Sequence, residues 1–312
     1  GKFSCKISAR IRDHGDLIDQ KDGTLLPSLN VHLNDGHIFG ITKFILFLPE
    51  TRFEDNEIFA SILFNEVGIL STRTKYMSLN YGKNKKRFIF QEKIHKEMLE
   101  WNSLREGQLL EGDERFTFWD NRHSQNLSKN KIVNIIWSRK NESSYLISES
   151  SISFLNHLSQ MHDTEKFRTD NLDYFSLNEI LDNHFLFENL DLYDAFSISM
   201  GSDNTMQRNE RRFYFDPLYK KYHPIFYDGN YYILNDGEPN VYIDDPKEMI
   251  ISSAQTGSQK ALSVLGKINY EKFYQKLLKS GLDISYDKTL FKIKKIENNL
   301  KKLIKYDKNR VF

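Results

Sequence analysis

Residues 43–68 read KFILFLPETRFEDNEIFASILFNEVG, and within them a strand pattern gives way to a helix pattern. The apolar run at 43–48 is typical of a buried strand. Apolar residues then recur at the spacing of a helix, at Ile58, Ile62, Phe64 and Val67. Gly68 follows them at a position where helices commonly end. We therefore predict a strand that leads directly into a helix.

The sequence on both sides of this segment predicts further strands. Residues 2–12 and 28–36 contain the alternation and β-branched residues of strands. Residues 75–93 are typical of two strands joined by a basic Gly-Lys-Asn turn. Residues 1–94 are therefore predicted to form a β-rich part with one embedded helix.

The remaining residues, 95–312, are predicted to be mainly helical. Helices are expected over 95–105, 151–162, 176–187, 189–200 and in the tail, with a hairpin over 210–233. The tail ends in LFKIKKIENNLKKLIKY, whose apolar residues keep i, i+3, i+4 spacing. We interpret this segment as a packed amphipathic helix with a solvated basic face, and a helix on a membrane surface is the alternative.

Composition excludes several classes of protein. The 312 residues include 44 Lys and Arg against 43 Asp and Glu, so no net charge draws the chain to nucleic acid. A single cysteine, Cys5, excludes an intrachain disulfide and a cysteine-based zinc site. The sequence contains no apolar run long enough to span a bilayer. We expect a cytoplasmic location, and we expect a further segment upstream of Gly1.

Two polar segments flank the predicted hairpin. DNTMQRN, residues 203–209, precedes it, and HPIFYDGN, residues 223–230, ends it. Two carboxylates and an amide that a hairpin brings together could hold a divalent metal on a nucleotide phosphate. The alternative is that Asp228-Gly229 is an ordinary turn. If it binds metal, we expect Asp228 to be exposed at the end of a strand.

The first predicted strand carries two arginines on one side. Arg10 and Arg12 are two residues apart, so both project from the same face of a sheet. Guanidinium groups can bridge phosphate oxygens bidentately. The alternative is an ordinary solvated sheet face.

The order and spacing of several motifs resemble the spore coat protein H (CotH) kinase family. The shared features are an Arg before the helix, a Gly that ends it, an Arg after it, a Gly turn and a strand that ends in Glu, here Arg52, Gly68, Arg73, Gly82 and Glu92. Upstream, ARIRDHGD is similar to the basic strand and Gly loop of the family, and NERRFYFDPLYKKYHPIFYDGN is similar to its metal-binding hairpin. The resemblance covers residues 6–235.

This resemblance implies an α+β, bilobal, atypical protein-kinase-like fold. The small β-rich lobe would be residues 1–94, and the larger helical lobe would be residues 95–312, with a metal-binding hairpin at about 200–233. ATP and Mg²⁺ or Mn²⁺ would be the cofactors. The γ-phosphoryl group would pass to a hydroxyl of a protein Ser or Thr or of a saccharide.

The resemblance also implies roles for single residues. Asp228 would be the main metal ligand and Asn209 a second one, with Glu210 or Asn204 as alternatives. Asp203 would position the acceptor hydroxyl. The nucleotide would contact Arg10, Arg12, Gly15, Arg52, Glu57 and Glu92, with the backbone of 91–94 near adenine.

The sequence departs from protein kinases in three places. Asp203 and Asn209 are six residues apart, one more than in the kinase catalytic loop. Asp13 and His14 interrupt the loop before Gly15, and the Val-Ala-Ile-Lys motif is absent. The sequence therefore does not identify the residue that would supply the phosphate-binding cation, and Lys43 is one candidate. A pseudokinase and a helical interaction module that binds no nucleotide are the alternative functions.

Overall fold

The computed structural model is a mixed α+β protein. It describes residues 6–14, 27–113, 130–166, 186–202, 210–232 and 252–306, with the single positions 205, 234, 235, 237, 238, 240 and 243. The strands are β1 Ala9–Asp13, β2 Leu29–Leu33, β3 Lys43–Phe47, β4 Leu70–Ser71, β5 Thr74–Tyr81, β6 Asn84–Glu92, β7 Gln108–Gly112, β8 Asn130–Ile132, β9 Arg212–Asp216 and β10 Lys221–Phe226. The helices are α1 Asp55–Glu66, α2 Lys96–Trp101, α3 Ile135–Ser138, α4 Glu142–Lys166, α5 Leu190–Met200, α6 Ser252–Leu265, α7 Tyr270–Lys279 and α8 Tyr286–Lys305.

The first sheet has the strand order β1-β2-β3-β6-β5, and every neighbouring pair is antiparallel. Its strands fall where the sequence predicted strands. Gly82, in the turn between β5 and β6, has a φ angle of 57°, a left-handed conformation that glycine adopts at little cost.

Helix α1 follows β3 after a short 3-10 helix, Pro49–Arg52. Gly68 lies just past its end with a φ angle of 81°, as predicted for a glycine that ends a helix. Most of the helix is buried, including polar residues of its first turn. A helix enclosed on several sides has little amphipathic contrast, so its caps and apolar spacing identify it better than a polar face does.

The second sheet has the order β4-β10-β9-β7-β8. Strand β4 comes from the first third of the chain, yet it pairs in parallel with β10, through Leu70 with Ile225 and Ser71 with Phe226. One hydrophobic cluster includes Ile45, Phe64 and Phe226 and continues into the tail helices. The described parts of residues 1–94 and 95–312 therefore share one core.

The tail helices α7 and α8 pack against α1. Phe273 packs edge to face on Phe59 at 5.3 Å between ring centroids. The buried Lys292 ammonium donates to Asn56 Oδ1 at 2.6 Å. Helix α8 buries its apolar stripe, Ile293, Ile296, Leu300 and Leu303, which confirms the packed interpretation of the Lys-rich tail.

Across the part of the chain that the structure describes, no helix is both long enough and apolar enough to cross a membrane.

Candidate functional site

The chain turns sharply where β10 ends. Asp228 and Asn230 have φ angles of 52° and 54°, a left-handed conformation that is uncommon outside glycine. A Cβ on Gly229, which lies between them, would overlap the rings of Phe226 and Tyr231. Unfavourable backbone conformations persist only where the surrounding structure enforces them, and they concentrate at functional sites. The Asp-Gly pair is therefore a packed, constrained turn.

Arg52 holds the Asp228 carboxylate from the end of the 3-10 helix. Its Nε lies 2.5 Å from Asp228 Oδ1 as an ion-pair contact, and its Nη2 donates a hydrogen bond to Oδ2 at 3.1 Å. The two side chains are only 8% and 16% exposed. The prediction that Asp228 would be exposed is wrong, because Arg52 covers the carboxylate. The contact does join two residues that the sequence assigned to one site.

Glu57, in the first turn of α1, fixes the same turn from the other side. Its buried carboxylate accepts backbone N–H groups from Gly229 at 3.1 Å and from Asn230 at 3.2 Å. The amide of Gln91 on β6 donates to it at 2.8 Å. Glu57 therefore connects α1, the first sheet and the Asp228 turn in one hydrogen-bonded network.

Burial and, after it, the negative charge of Asp228 raise the pKa of Glu57, to about 7. The hydrogen bond from Gln91 and the charge of Arg52 oppose this rise without cancelling it. When two carboxylates lie this close together, the negative charge of one makes ionisation of the other less favourable. Near neutral pH, the proton on Glu57 is therefore sensitive to any cation that enters the site.

We predict that this network makes stability depend on pH. Glu57 holds a proton up to about pH 7 when folded but only to about 4.5 when unfolded, so its favourable contribution is complete below 4.5 and is lost as pH rises through 7. The loss should be about 3 kcal/mol. Urea unfolding of wild type and Glu57→Gln from pH 4 to 8 measures it, because the variant should lack this fall. Parallel stability curves for the two proteins would contradict the prediction.

One face of the first sheet is basic. Arg12 pairs with Asn30 of β2, Asn30 with Ile45 of β3, and Ile45 with Gln91 of β6, so these four residues share a face. Ile45 packs in the main core and Gln91 binds Glu57, so this face is turned towards α1 and the Asp228 turn.

Further cations lie on the same face. Arg10 pairs with His32, and His32 pairs with Lys43, which places all three on the face of Arg12. This register confirms that Arg10 and Arg12 project from the same side of the sheet. The Lys43 ammonium lies 2.9 Å from His95 Nε2, so its contact is towards α2 and not towards Glu57.

Lys93 and Arg212 extend this basic face towards Asp228. Burial lowers the pKa of Lys93, and the positive charges of Arg12, Lys43 and Arg212 lower it further. The Arg212 guanidinium lies 4.6 Å from the centre of the Tyr227 ring, next to Asp228 in the chain. Arg212 pairs with Glu111 at 3.4 Å and with Glu210 at 3.3 Å, and Glu111 also opposes the lowering of the Lys93 pKa. Arg12 and Lys93 are therefore the cations of this face best placed to attract a polyanion.

Glu92 lies on the opposite face of the sheet. Its buried carboxylate pairs bidentately with Arg73, at 2.7 Å from Nε and 2.5 Å from Nη2. The backbone N–H of Glu92 donates to the Arg73 carbonyl, and that of Lys93 donates to the Lys43 carbonyl. The Glu92 side chain is therefore directed away from the basic face.

Three predicted residues, Gly15, Asp203 and Asn209, and the alternative ligand Asn204 lie outside the described residues. The residue before Asp203 is described. Ser202 Oγ donates to the Gly229 carbonyl at 2.6 Å, and Ser202 forms a bridge with Tyr231. Glu210, the other alternative ligand, lies 3.3 Å from Arg212.

Asp228 is the carboxylate of this turn that the sequence predicted as a metal ligand. Oδ1 of Asp228 is buried and accepts no hydrogen bond of good geometry, although Arg52 lies beside it. Among the residues described, no group of three or more His, Cys, Asp or Glu side chains could hold a metal ion. Asp228 is an oxygen donor of the kind that Mg²⁺ prefers, and further ligands would have to come from outside the described ranges.

The side chains of Lys93, Arg212 and Gln91 were not predicted to belong to the site, although the backbone of 91–94 was placed near adenine. Gln91 and Lys93 are two residues apart within the predicted strand segment 75–93, so alternation alone places them on one face, although β6 itself ends at Glu92. Nothing in the sequence shows that this face is the one that Arg12 shares, because that depends on strand order. From the sequence, Arg212 was assigned only to a strand of the predicted hairpin and not to the site.

No protein-family model matches the chain, and no curated protein matches it significantly in sequence. The likeness to the CotH family therefore stays a prediction from the motifs quoted above.

Proposed function

We propose that the protein is a CotH-like, metal-dependent kinase that transfers the γ-phosphoryl group of ATP to a hydroxyl of a protein Ser or Thr or of a saccharide. The observation that carries the proposal is the Asp228 turn, held by Arg52 and Glu57 opposite a basic sheet face. Phosphoryl transfer depends on positioning and charge neutralisation more than on covalent help from the protein. These residues supply both a carboxylate and cations.

The arrangement of the first sheet and α1 supports a bilobal kinase-like fold. In protein kinases, a helix glutamate and an Asp that precedes a Gly both lie close to the nucleotide phosphates. Here Glu57 on α1 bonds the backbone directly after Asp228. Among the described residues, Glu57 forms no ion pair with a lysine. In our proposal, Lys93 or an arginine therefore supplies the phosphate-binding cation.

In this proposal, Asp228 would hold Mg²⁺ or Mn²⁺, and Asn209 would assist. Arg12 and Lys93 would neutralise phosphate charge from the sheet face. Asp203 is the residue after Ser202, whose hydroxyl donates a hydrogen bond to the Asp228 turn. The Asp203 carboxylate would orient the acceptor hydroxyl. A bound metal would supply charge stabilisation for the phosphate oxygens.

One observation favours a second function, nucleotide binding without transfer. Both carboxylate oxygens of Asp228 face Arg52, which is buried and carries a positive charge. Burial opposes that charge, but Asp228 and Glu57 outweigh it and raise the pKa of Arg52. A metal must compete with this guanidinium, and a pseudokinase would retain the pair when nucleotide binds.

Calorimetric titration with ATP and MnCl₂ tests the site. We expect Lys93→Ala and Arg12→Ala each to weaken ATP binding about tenfold, because a hydrogen bond to a charged group contributes about 1.5–3 kcal/mol. Lys85→Ala, a change of the same charge at an exposed position at the start of β6, is the control and should bind ATP as wild type does.

The outcomes separate the proposed functions. Binding that follows this pattern together with release or transfer of phosphate supports the kinase. The same pattern without phosphate release supports the pseudokinase. No binding of ATP, or equal weakening by Lys85→Ala, would contradict both, and the helical interaction module would then be favoured.

A further inference from the structure

A second candidate binding site lies at the edge of the first sheet where β5 begins. The cavity there has a volume of about 660 Å³ and lies among α1, β5, α2 and α7. Sites for small organic molecules in proteins usually have volumes of about 300–1,000 Å³ and mostly apolar walls. Arg73 lines this cavity, and its partner Glu92 lies on the sheet face opposite the basic one. The cavity is therefore separate from the Asp228 turn.

The walls of this cavity are aromatic and aliphatic. Ile41, Ile62 and Phe90 line it, and Ile41 and Phe90 are almost fully buried. Phe39 and Trp101 also line it and remain 58% and 61% exposed. Large aromatic side chains exposed next to a cavity favour a ligand with a flat ring, because offset and edge-to-face ring contacts add to apolar burial.

Two positively charged side chains lie close to the faces of these aromatic rings. The Lys75 ammonium lies 3.3 Å from the centre of the Phe39 ring, and the Arg73 guanidinium lies 4.9 Å from that of Trp101. Burial lowers the pKa of Lys75, and the charge of Arg73 lowers it further, as expected where positive potential is high. Arg73 is neutralised by Glu92, whereas no described carboxylate pairs with Lys75.

The last turn of α7 adds two more cations to the rim. Lys276 pairs with Glu66, so its charge is compensated. Lys279 is exposed and pairs with no carboxylate in the described ranges. Lys75 and Lys279 therefore leave uncompensated positive charge around an apolar cavity. Charge complementarity calls for a ligand with negative charge and a hydrophobic body.

We propose that this cavity binds a small aromatic anion, meaning a ring system that carries a carboxylate, sulfonate or phosphate group. The ring would pack against Phe39, Phe90 and Trp101. The anionic group would lie between Lys75 and Lys279. This proposal does not depend on the kinase assignment, since none of these residues belongs to the Asp228 site.

Two matched fluorescent probes test the proposal on the whole chain. The anionic probe is 8-anilinonaphthalene-1-sulfonate, and N-phenyl-1-naphthylamine has the same aromatic body without the charge. We expect one saturable site that binds the sulfonate about tenfold more tightly than the neutral probe. Lys75→Ala and Lys279→Ala should each weaken sulfonate binding about fivefold, the upper end for a partly exposed ion pair, and leave the neutral probe unaffected.

Two further variants locate the site. Lys272→Ala removes an exposed lysine from the first turn of α7, outside the cavity, and should bind both probes as wild type does. Asn65→Trp places a bulky side chain at an exposed position that lines the cavity and should block both probes. Far-UV circular dichroism with thermal melting checks that each variant is folded.

Several results would overturn the proposal. They are the absence of saturable binding, equal affinity for the two probes, or an effect of Lys272→Ala as large as that of Lys279→Ala. Undiminished binding in a folded Asn65→Trp variant would also overturn it, because the probe would then lie elsewhere.

Discussion

Asp228→Ala is expected to reduce transfer of ³²P from ATP about 10³-fold or more, if the protein is the kinase we propose. A metal on the phosphates contributes several kcal/mol of charge stabilisation, and each 1.4 kcal/mol corresponds to a factor of ten in rate. Asp228 is the described carboxylate best placed to hold that metal, since Glu57 is occupied by backbone N–H groups. The measurement is single-turnover transfer to a general acceptor protein or to the enzyme itself.

The same substitution is expected to destabilise the fold, so a second variant is needed to separate loss of the metal ligand from loss of folded protein. Arg52 would stay buried without its partner, and breaking a buried ion pair in this way costs about 3–5 kcal/mol. A double variant, Arg52→Gln with Asp228→Asn, removes both charges and keeps polar groups of similar size, so it should lose much less stability. If the folded double variant retained transfer, the negative charge of Asp228 would not be needed to hold the metal.

Gly257→Ala is expected to destabilise the protein by about 3 kcal/mol, near the upper end for overpacking. Gly257 lies within α6 where this helix crosses α5, and an added Cβ would overlap the backbone carbonyl of Asp191. The backbone of α5 cannot yield easily, because Asp194 on the same helix pairs with the buried Arg211 at 2.8 Å. Urea unfolding at constant pH measures the loss.

Gly266→Ala is the matched control for this substitution. Gly266 directly follows α6, and an added Cβ would meet its nearest neighbour, the Leu262 carbonyl, at 3.4 Å. We expect a change in the free energy of unfolding within about 0.5 kcal/mol. A loss in Gly257→Ala no larger than in Gly266→Ala would show that α5 and α6 are less tightly packed than the structure indicates.

The local part of the fold could be predicted from the sequence, because local patterns determine it. The step from β3 into α1 follows from an apolar run, a helical spacing and Gly68. The amphipathic helix α8 follows from its i, i+3, i+4 pattern. The hairpin of β9 and β10 likewise falls within the predicted 210–233. These features depend on neighbours within about ten residues, where propensity and periodicity carry information.

Long-range contacts could not be predicted in the same way. Arg52 and Asp228 were both named as site residues, yet nothing in the sequence indicated that they would pair across 176 positions. The exposure of Asp228 was predicted wrongly for that reason. The parallel pairing of the two-residue strand β4 with β10 is also invisible in the sequence, because two residues carry no periodicity. Strand order, and with it the basic face, depends on such pairings between distant segments.

The enclosure of α1 by the tail helices has a consequence for biosynthesis. Asn56 receives its hydrogen bond from Lys292, 236 positions later in the chain. At about 5–20 residues per second, a ribosome needs on the order of 10–50 s to add that length. During this interval the apolar surface of α1 that Phe273 later covers has no native cover, which makes the nascent chain a substrate for chaperones. Shortening the chain before α7, which removes Phe273 as well as Lys292, should therefore yield aggregates and not a smaller folded protein.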